Sequence, residues 1–255
     1  MTAISAVVPT FDRHELLLAA IRSILAQTEP PQEIVVVDNG FSPVPERSLP
    51  ADVRLIRIPG GAGVSAARNA GVSASRSEYV AFLDDDDRWS TTYLEEVRRA
   101  IARHPRPPDV ILGNKHREMD GVVAPYKMIP TLEGLRGRLL YMNPGVSGQN
   151  LTVARAFHVE RHRGFRTSLR ASEDRAYLID AIDAGAEICL APDAIVVKVM
   201  HPGDQLTDRP RLRTVLRFSA TYWRSMDRVA RVDNTRKVLH GIRAVLANRL
   251  RPQGR

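Results

Sequence analysis

Residues 79–89 read YVAFLDDDDRW, an apolar run that ends in four consecutive carboxylates. Like charges side by side repel, so the run needs a partner. Past a strand end side chains still tend to alternate, which puts Asp84 and Asp86 on one side. Two carboxylates converging on one spot suit a hard divalent cation such as Mg²⁺ or Mn²⁺, which also accepts phosphate oxygens and acts as a Lewis acid toward a departing diphosphate. The plainer alternative is helix capping: Asp87 and Ser90 stand just before a helical pattern at residues 91–103.

Other residues carry possible chemistry at comparable places. Pro9, Thr10, Phe11, Asp12 and Arg13 follow the apolar run of residues 4–8. Asp38 follows EIVVV directly, where a carboxylate can accept from a base N–H or a ribose hydroxyl; Asp38-Asn39-Gly40 is equally a strong turn sequence. The segment GGAGVSAARNAGV (residues 60–72) resembles a glycine-rich phosphate loop but is neither GxGxxG nor a Walker motif. Within it Arg68 is a lone cation on a helix of small residues, free to reach a ligand or to form an ordinary salt bridge. Ser172-Glu173-Asp174 heads another helical segment; Asp174 is either part of an acidic first turn or a general base for a hydroxyl. His201, in His201-Pro202-Gly203, is a candidate metal ligand or phosphate contact. CxxC, HExxH and GxSxG motifs are absent.

These residues need a frame. Strand patterns at 4–8, 33–37, 53–58, 79–83 and 109–112 alternate with helical patterns at 14–26, 63–75 and 91–103. That order predicts an α/β fold with a mostly parallel, twisted sheet covered by helices on both faces, and ligands bind such sheets beyond the carboxyl ends of the strands. Further on, a helix is expected within 128–142, an approach to a strand at 145–153, a helix at 173–184, two short strands at 187–190 and 194–199 separated by Pro192, and two amphipathic helices after residue 211, split near Asp233 and Asn234.

The chain has 255 residues, 44% hydrophobic and 26% charged, enough for one large α/β domain. No apolar run is long enough for a transmembrane helix, the N-terminus lacks the pattern of a signal peptide, and Cys189 is the only cysteine; a reduced, cytoplasmic setting is expected. The net charge of +8 is uneven: residues 209–255 hold thirteen Lys and Arg against Asp227 and Asp233, and residues 1–208 sum to −3. A basic tail is suited to an anionic membrane face, nucleic acid or an acidic partner. A nucleic-acid-binding protein therefore competes as a reading, although it leaves the carboxylates unexplained. A nucleotidyltransferase or phosphohydrolase would use them and has no need of Asp174.

In order, VVPTFDR, EIVVVDNG, GVSAARNAG, YVAFLDDDDRW, SEDRAYL and HPGDQLT resemble the motifs of family 2 glycosyltransferases, across residues 4–207. The resemblance implies a GT-A fold, with residues 1–113 as the nucleotide-sugar half, 114–208 as the acceptor half and 209–255 as a basic helical extension. It implies a nucleotide-diphospho-sugar donor, a UDP-sugar by default, bordered by Pro9, Thr10, Phe11, Arg13, Asp38, Arg68, Asp84 and Asp85. It implies Mn²⁺ or Mg²⁺ on Asp86 and Asp84 with His201 nearby, Asp174 as catalytic base, and inverting transfer to a hydroxyl of a sugar, lipid-linked glycan or small molecule. Such reactions build cell-surface polysaccharide, glycolipid or glycosylated metabolites. Peripheral contact with the inner membrane face is expected of the tail, and specific nucleic acid is not. Asp12 stands where the family more often has Asn, and residues 115–170 match no known acceptor pattern.

Overall fold

The computed structural model describes residues 2–200 and 212–250. His201 and all the rest of the HPGDQLT stretch lie outside the described residues. The first half runs β1 (Ile4–Thr10), α1 (His14–Leu25), β2 (Glu33–Asp38), β3 (Val53–Arg57), α2 (Val64–Ala74), β4 (Tyr79–Phe82), β5 (Asp87–Trp89) and α3 (Tyr93–Arg103). The second runs β6 (Val110–Met119), β7 (Val122–Pro125), α4 (Leu135–Tyr141), β8 (Leu151–Ala154), α5 (Glu173–Asp183), β9 (Ile188–Val199), α6 (Leu212–Tyr222) and α7 (Arg228–Leu250). One sheet joins the strands in the order β3-β2-β1-β4-β8-β6-β9-β5, with β7 beside β6. The first four are mutually parallel, as are β6 and β9; β8, β5 and β7 run antiparallel to their neighbours.

Strand alternation divides the core. Ile4, Ala6, Val8, Ile34 and Val36 pack under α1 and α3 with Leu17, Ile21, Leu94 and Val97. Val7, Val35 and Val37 point to the other face, where α2, α4, α5 and the C-terminal helices lie. A fully apolar run such as IVVV is what a strand covered on both faces requires. Gly71 lets α2 approach closely: a Cβ there would lie 2.3 Å from Val7 Cγ1. Pro9 is tolerated in β1 for a directional reason. Val7 O accepts from Leu83 N on the β4 side, so Pro9, two residues on, turns its missing donor to that same side, where β4 has ended.

Three expectations change. Asp87 and Ser90 do not cap α3: Asp87 opens the short edge strand β5 against β9, and the free N–H of Leu94 donates to Gln27 Oε1 at 3.0 Å instead. The two strands expected around Pro192 are one, because a bulge opposite Gly113 and Asn114 lets the chain pass the proline without losing the ladder, with Asn114 Nδ2 donating to Pro192 O at 2.9 Å. The C-terminal helices part at Trp223–Ser225, not near Asp233 and Asn234; Asn234 is buried inside α7 and donates to Leu140 O at 2.9 Å.

That last bond belongs to a set. The final carbonyls of a helix lack partners within it. At the end of α4, Leu139 O accepts from Arg175, Leu140 O from Asn234 and Tyr141 O from Lys237. Phe218, Tyr222, Met226 and Ala230 join the same core. The C-terminal helices are thus built into the body of the protein.

Behind α5 lies a buried aromatic group. A single turn of π-helix, Phe157–His162, places His158 against the Tyr177 hydroxyl at 3.2 Å and His162 Nε2 against Tyr177 O at 2.8 Å. Burial holds His158 down to about 3, helped by neighbouring His162. A histidine whose folded pKa is depressed stabilises the fold above its unfolded pKa of about 6.5 and loses that contribution as pH falls below it. Between pH 7 and pH 5 the wild type should therefore lose about 2 kcal/mol more stability than His158→Gln in urea titrations. Asp85, which shifts the other way, is common to both proteins and drops out of the comparison.

Candidate active site

β1, β2 and β4 end along one rim, and the loops beyond them carry most of the residues singled out above. The four aspartates alternate in exposure: Asp84 and Asp86 are half-buried, Asp85 and Asp87 buried. Asp85 turns back into the protein. Its Oδ2 accepts from Thr10 Oγ1 at 2.7 Å, and its Oδ1 pairs with Arg13 at 2.8 Å. Burial pushes its pKa up to about 7 against the pull of Arg13 and Thr10. Asp86 meets the same Arg13 at 2.5 Å. Asp87 accepts from Gln149 Nε2 at 2.6 Å and Val199 N at 3.0 Å; burial and then Asp86 and Asp84 raise its pKa well above the usual carboxylate range.

Oxygens of Asp84, Asp86 and Asp87 come within 4.8 Å of one another. Three acids this close, with Arg13 and Arg68 as the only basic partners within ion-pair distance among the described residues, form an oxygen-only donor set of the kind hard divalent cations take.

Arg68 links this cluster to the far side of the site. It is 2% exposed, donates to Asp84 Oδ1 at 2.7 Å and to Glu173 Oε1 at 3.1 Å, and lies 5.3 Å over the Phe165 ring. Burial opposes its charge, but Asp84 and Glu173 outweigh burial and raise its pKa. The geometry is possible because residue 148 is glycine: a Cβ there would sit 2.1 Å from the guanidinium carbon. Through Glu173, Arg68 fixes the first turn of α5, where Asp174 follows. Burial and the adjacent Glu173 raise Asp174 to about 6, while Arg68, the Arg175 N–H at 2.7 Å and Lys115 hold it down.

Lys115 escaped the sequence reading. It is a buried lysine on β6 whose Nζ lies 2.9 Å from Ser147 Oγ. Burial lowers its pKa to about 8, and Asp174 pulls it back up. Gln149 was also missed, and Glu173 was read only as part of the acidic start of α5, not as the partner of Arg68. No local motif marks Lys115 or Gln149, and the pairing of Glu173 could not be read locally, since the partners lie on other elements.

Asp38 stands at the β2 end, 1% exposed, accepting from Gly40 N at 2.9 Å and Val44 N at 3.0 Å, with Arg57 at 3.4 Å. It braces its own turn, as Asp-Asn-Gly sequences do. The loop it shapes presents Phe41 edge-on to Phe11, ring centroids 5.6 Å apart and both rings exposed. Asp12 ties these loops together, taking φ 52° and accepting from Ser42 N at 2.8 Å. The glycine-rich segment turns at Gly61 and Gly63, both at positive φ, and Arg170 donates to Gly61 O at 2.9 Å.

An α/β sheet with polar loops and a carboxylate cluster beyond its carboxyl edge defines the class of open-sheet proteins that hold ligands at that crevice. Residues 5–151 match the family described as Glycosyl transferase family 2, and the chain belongs to that family. A Haemophilus influenzae protein named an uncharacterized glycosyltransferase is 26% identical over 179 residues, 69% of this chain and 60% of that protein. The Rhizobium meliloti succinoglycan biosynthesis protein ExoO is 37% identical over 101 residues, 38% of this chain and 28% of its own. The chain thus spans about 60% of the Haemophilus relative and less of ExoO. A fragment of S. aureus TarS, solved in complex with UDP-GlcNAc, superimposes with a TM-score of 0.69 at 18% identity, covering 94% of this chain and 72% of that one. The GT-A-type fold follows from that likeness.

Gly148→Ala tests the central bridge. The added methyl displaces the Arg68 guanidinium from Asp84 and Glu173 and leaves buried charge uncompensated, with an expected cost of about 3 kcal/mol. Equilibrium urea unfolding measures it; an unchanged midpoint would show that Arg68 has another equally good place to go.

Proposed function

We propose that the protein transfers a sugar from a nucleotide-diphospho-sugar, a UDP-sugar first among candidates, to a hydroxyl acceptor, with inversion and with a divalent cation. The observation that carries this reading is the meeting of two acidic groups of different character across Arg68: a clustered set, Asp84, Asp86 and Asp87, and a single aspartate, Asp174, with a raised pKa and a lysine nearby.

The roles follow from position. Thr10, Phe11, Arg13 and the Asp38 loop border the nucleoside, with the exposed Phe11 and Phe41 edges offering an apolar wall to the base. Asp84, Asp86 and Asp87 fit a Mn²⁺ or Mg²⁺ ion, which when bound supplies positive charge for the leaving diphosphate. Asp174 takes the proton of the acceptor hydroxyl as the new C–O bond forms and the bond to the diphosphate breaks, so one displacement inverts the anomeric carbon. Lys115 keeps Asp174 available as a carboxylate. Residues 114–208 serve as the acceptor half, and the product is a surface polysaccharide, a glycolipid or a glycosylated metabolite. The TarS complex with UDP-GlcNAc supports the donor class.

The discriminating experiment pairs binding with turnover. In calorimetry with UDP, Asp86→Ala should lose the Mn²⁺-dependent part of the affinity. Asp174→Asn should keep UDP affinity and lose transfer by about 10²–10⁴-fold. Full transfer by Asp174→Asn would remove the base assignment, and UDP binding indifferent to Mn²⁺ would remove the metal.

Transfer rate should also rise with pH through about 6, where Asp174 ionises. Lys115→Met withdraws a nearby positive charge, so this acid limb should move to higher pH, as read from kcat/KM profiles.

A further inference from the structure

α6 and α7 form an antiparallel hairpin. Gly241 packs against Leu212, and Ser219 Oγ lies 3.4 Å from Asn234 Oδ1. Its inner face is set by Val215, Phe218, Tyr222, Met226 and Ala230, all buried. The opposite stripe of α7, at helical spacing of three and four, runs Arg228, Val232, Arg236, Leu239 and Arg243, all exposed. Exposed Arg213 and Leu216 continue it on α6, where Arg217 donates to Ser168 O at 2.9 Å, and Trp223 and Arg224 at the turn. None of these arginines forms an ion pair with an acid among the described residues. The two acids of the hairpin are engaged: Asp227 accepts from Ala230 N at 2.8 Å, and Asp233 pairs with Lys237 at 2.5 Å.

This stripe alternates cations with aliphatic side chains, which wastes apolar surface in water. We propose that it is a docking face for an anionic lipid surface, with the arginines at the headgroups and Val232, Leu239 and Trp223 in the acyl boundary. Duplex DNA would use the arginines and leave the aliphatic Val232 and Leu239 without a partner. A second copy of the chain on the same face would set arginine against arginine. The inner side of the hairpin holds α5: the Arg175 guanidinium lies 4.3 Å over the Phe218 ring and donates to Leu139 O. A lipid surface on the outer side is therefore separated by a single helix from the turn that carries Asp174.

The test uses the full chain, since α6 and α7 belong to the core. Co-sedimentation is compared on vesicles of phosphatidylcholine alone and of equimolar phosphatidylcholine and phosphatidylglycerol. Binding to the anionic vesicles should appear and fall with salt. It should shift tryptophan emission to shorter wavelength through Trp223, because Trp89 is already buried and stacked on Tyr93. Combined Arg228→Glu, Arg236→Glu and Arg243→Glu should weaken binding by about a hundredfold. Val232→Ser with Leu239→Ser should weaken it by about tenfold and reduce the emission shift. Circular dichroism checks that each variant is folded, and the wild-type lipid and salt comparison decides the matter if a variant is not. No preference for the anionic vesicles overturns the proposal. So does binding that survives charge reversal, or binding without an emission shift that duplex DNA matches.

Discussion

One guanidinium holds the site together. Arg68 leaves a helix of small residues, passes under Gly148 and meets Asp84, just beyond β4, and Glu173 from α5. The first half of the chain is thereby joined to the second at the point where their chemistry must meet. A buried cation of this kind is costly unless fully paired, so the two carboxylates and the cation specify one another's positions. Phe165 beneath it extends the constraint into the aromatic group of Tyr177, His158 and His162. Asp174 therefore stands on a turn anchored from below by packing and from the side by charge.

The acidic run works through its alternation. Two of its members, Asp85 and Asp87, are buried and accept from Thr10, Arg13, Gln149 and a backbone N–H, while Asp87 still keeps an oxygen beside Asp84 and Asp86. They lock the strand end to its neighbours. The other two, Asp84 and Asp86, remain half-open beside them. Each is touched by one arginine, so the cluster's repulsion is lessened and not removed. Buried and half-open carboxylates thus occupy consecutive positions, separated only by the two-residue period of an extended chain.

The C-terminal helices have two faces with different duties. Inward, they supply apolar side chains and cap the last carbonyls of α4, which in turn packs against α5. Outward, they carry arginines interleaved with aliphatics. Part of the positive charge that the sequence concentrates after residue 208 thus lies, among the described residues, on helices that also supply the core.

Much of this architecture was legible in the sequence. The β-branched runs, their spacing and the helical patterns between them located every strand and helix of the first half except β5, because those elements are determined by local periodicity. Asp84 with Asp86 and Asp174 stood out by residue type at strand and helix ends, and Arg68 as a lone cation within a helix of small residues. What periodicity could not show was pairing. β5 exists only because β9 lies beside it, and Asp87 is a strand residue for that reason and not a cap. The bulge at Pro192 is held by Asn114, and Asn234, which looks like a helix breaker, is kept inside α7 by its bond to Leu140 O. Lys115 reads as an ordinary lysine on an alternating strand until folding buries it near Asp174. Sequence alone determined which elements form and which residues have the chemistry; only the tertiary structure decided which charges face one another, because that depends on contacts between segments about a hundred residues apart, as between Arg68 and Glu173.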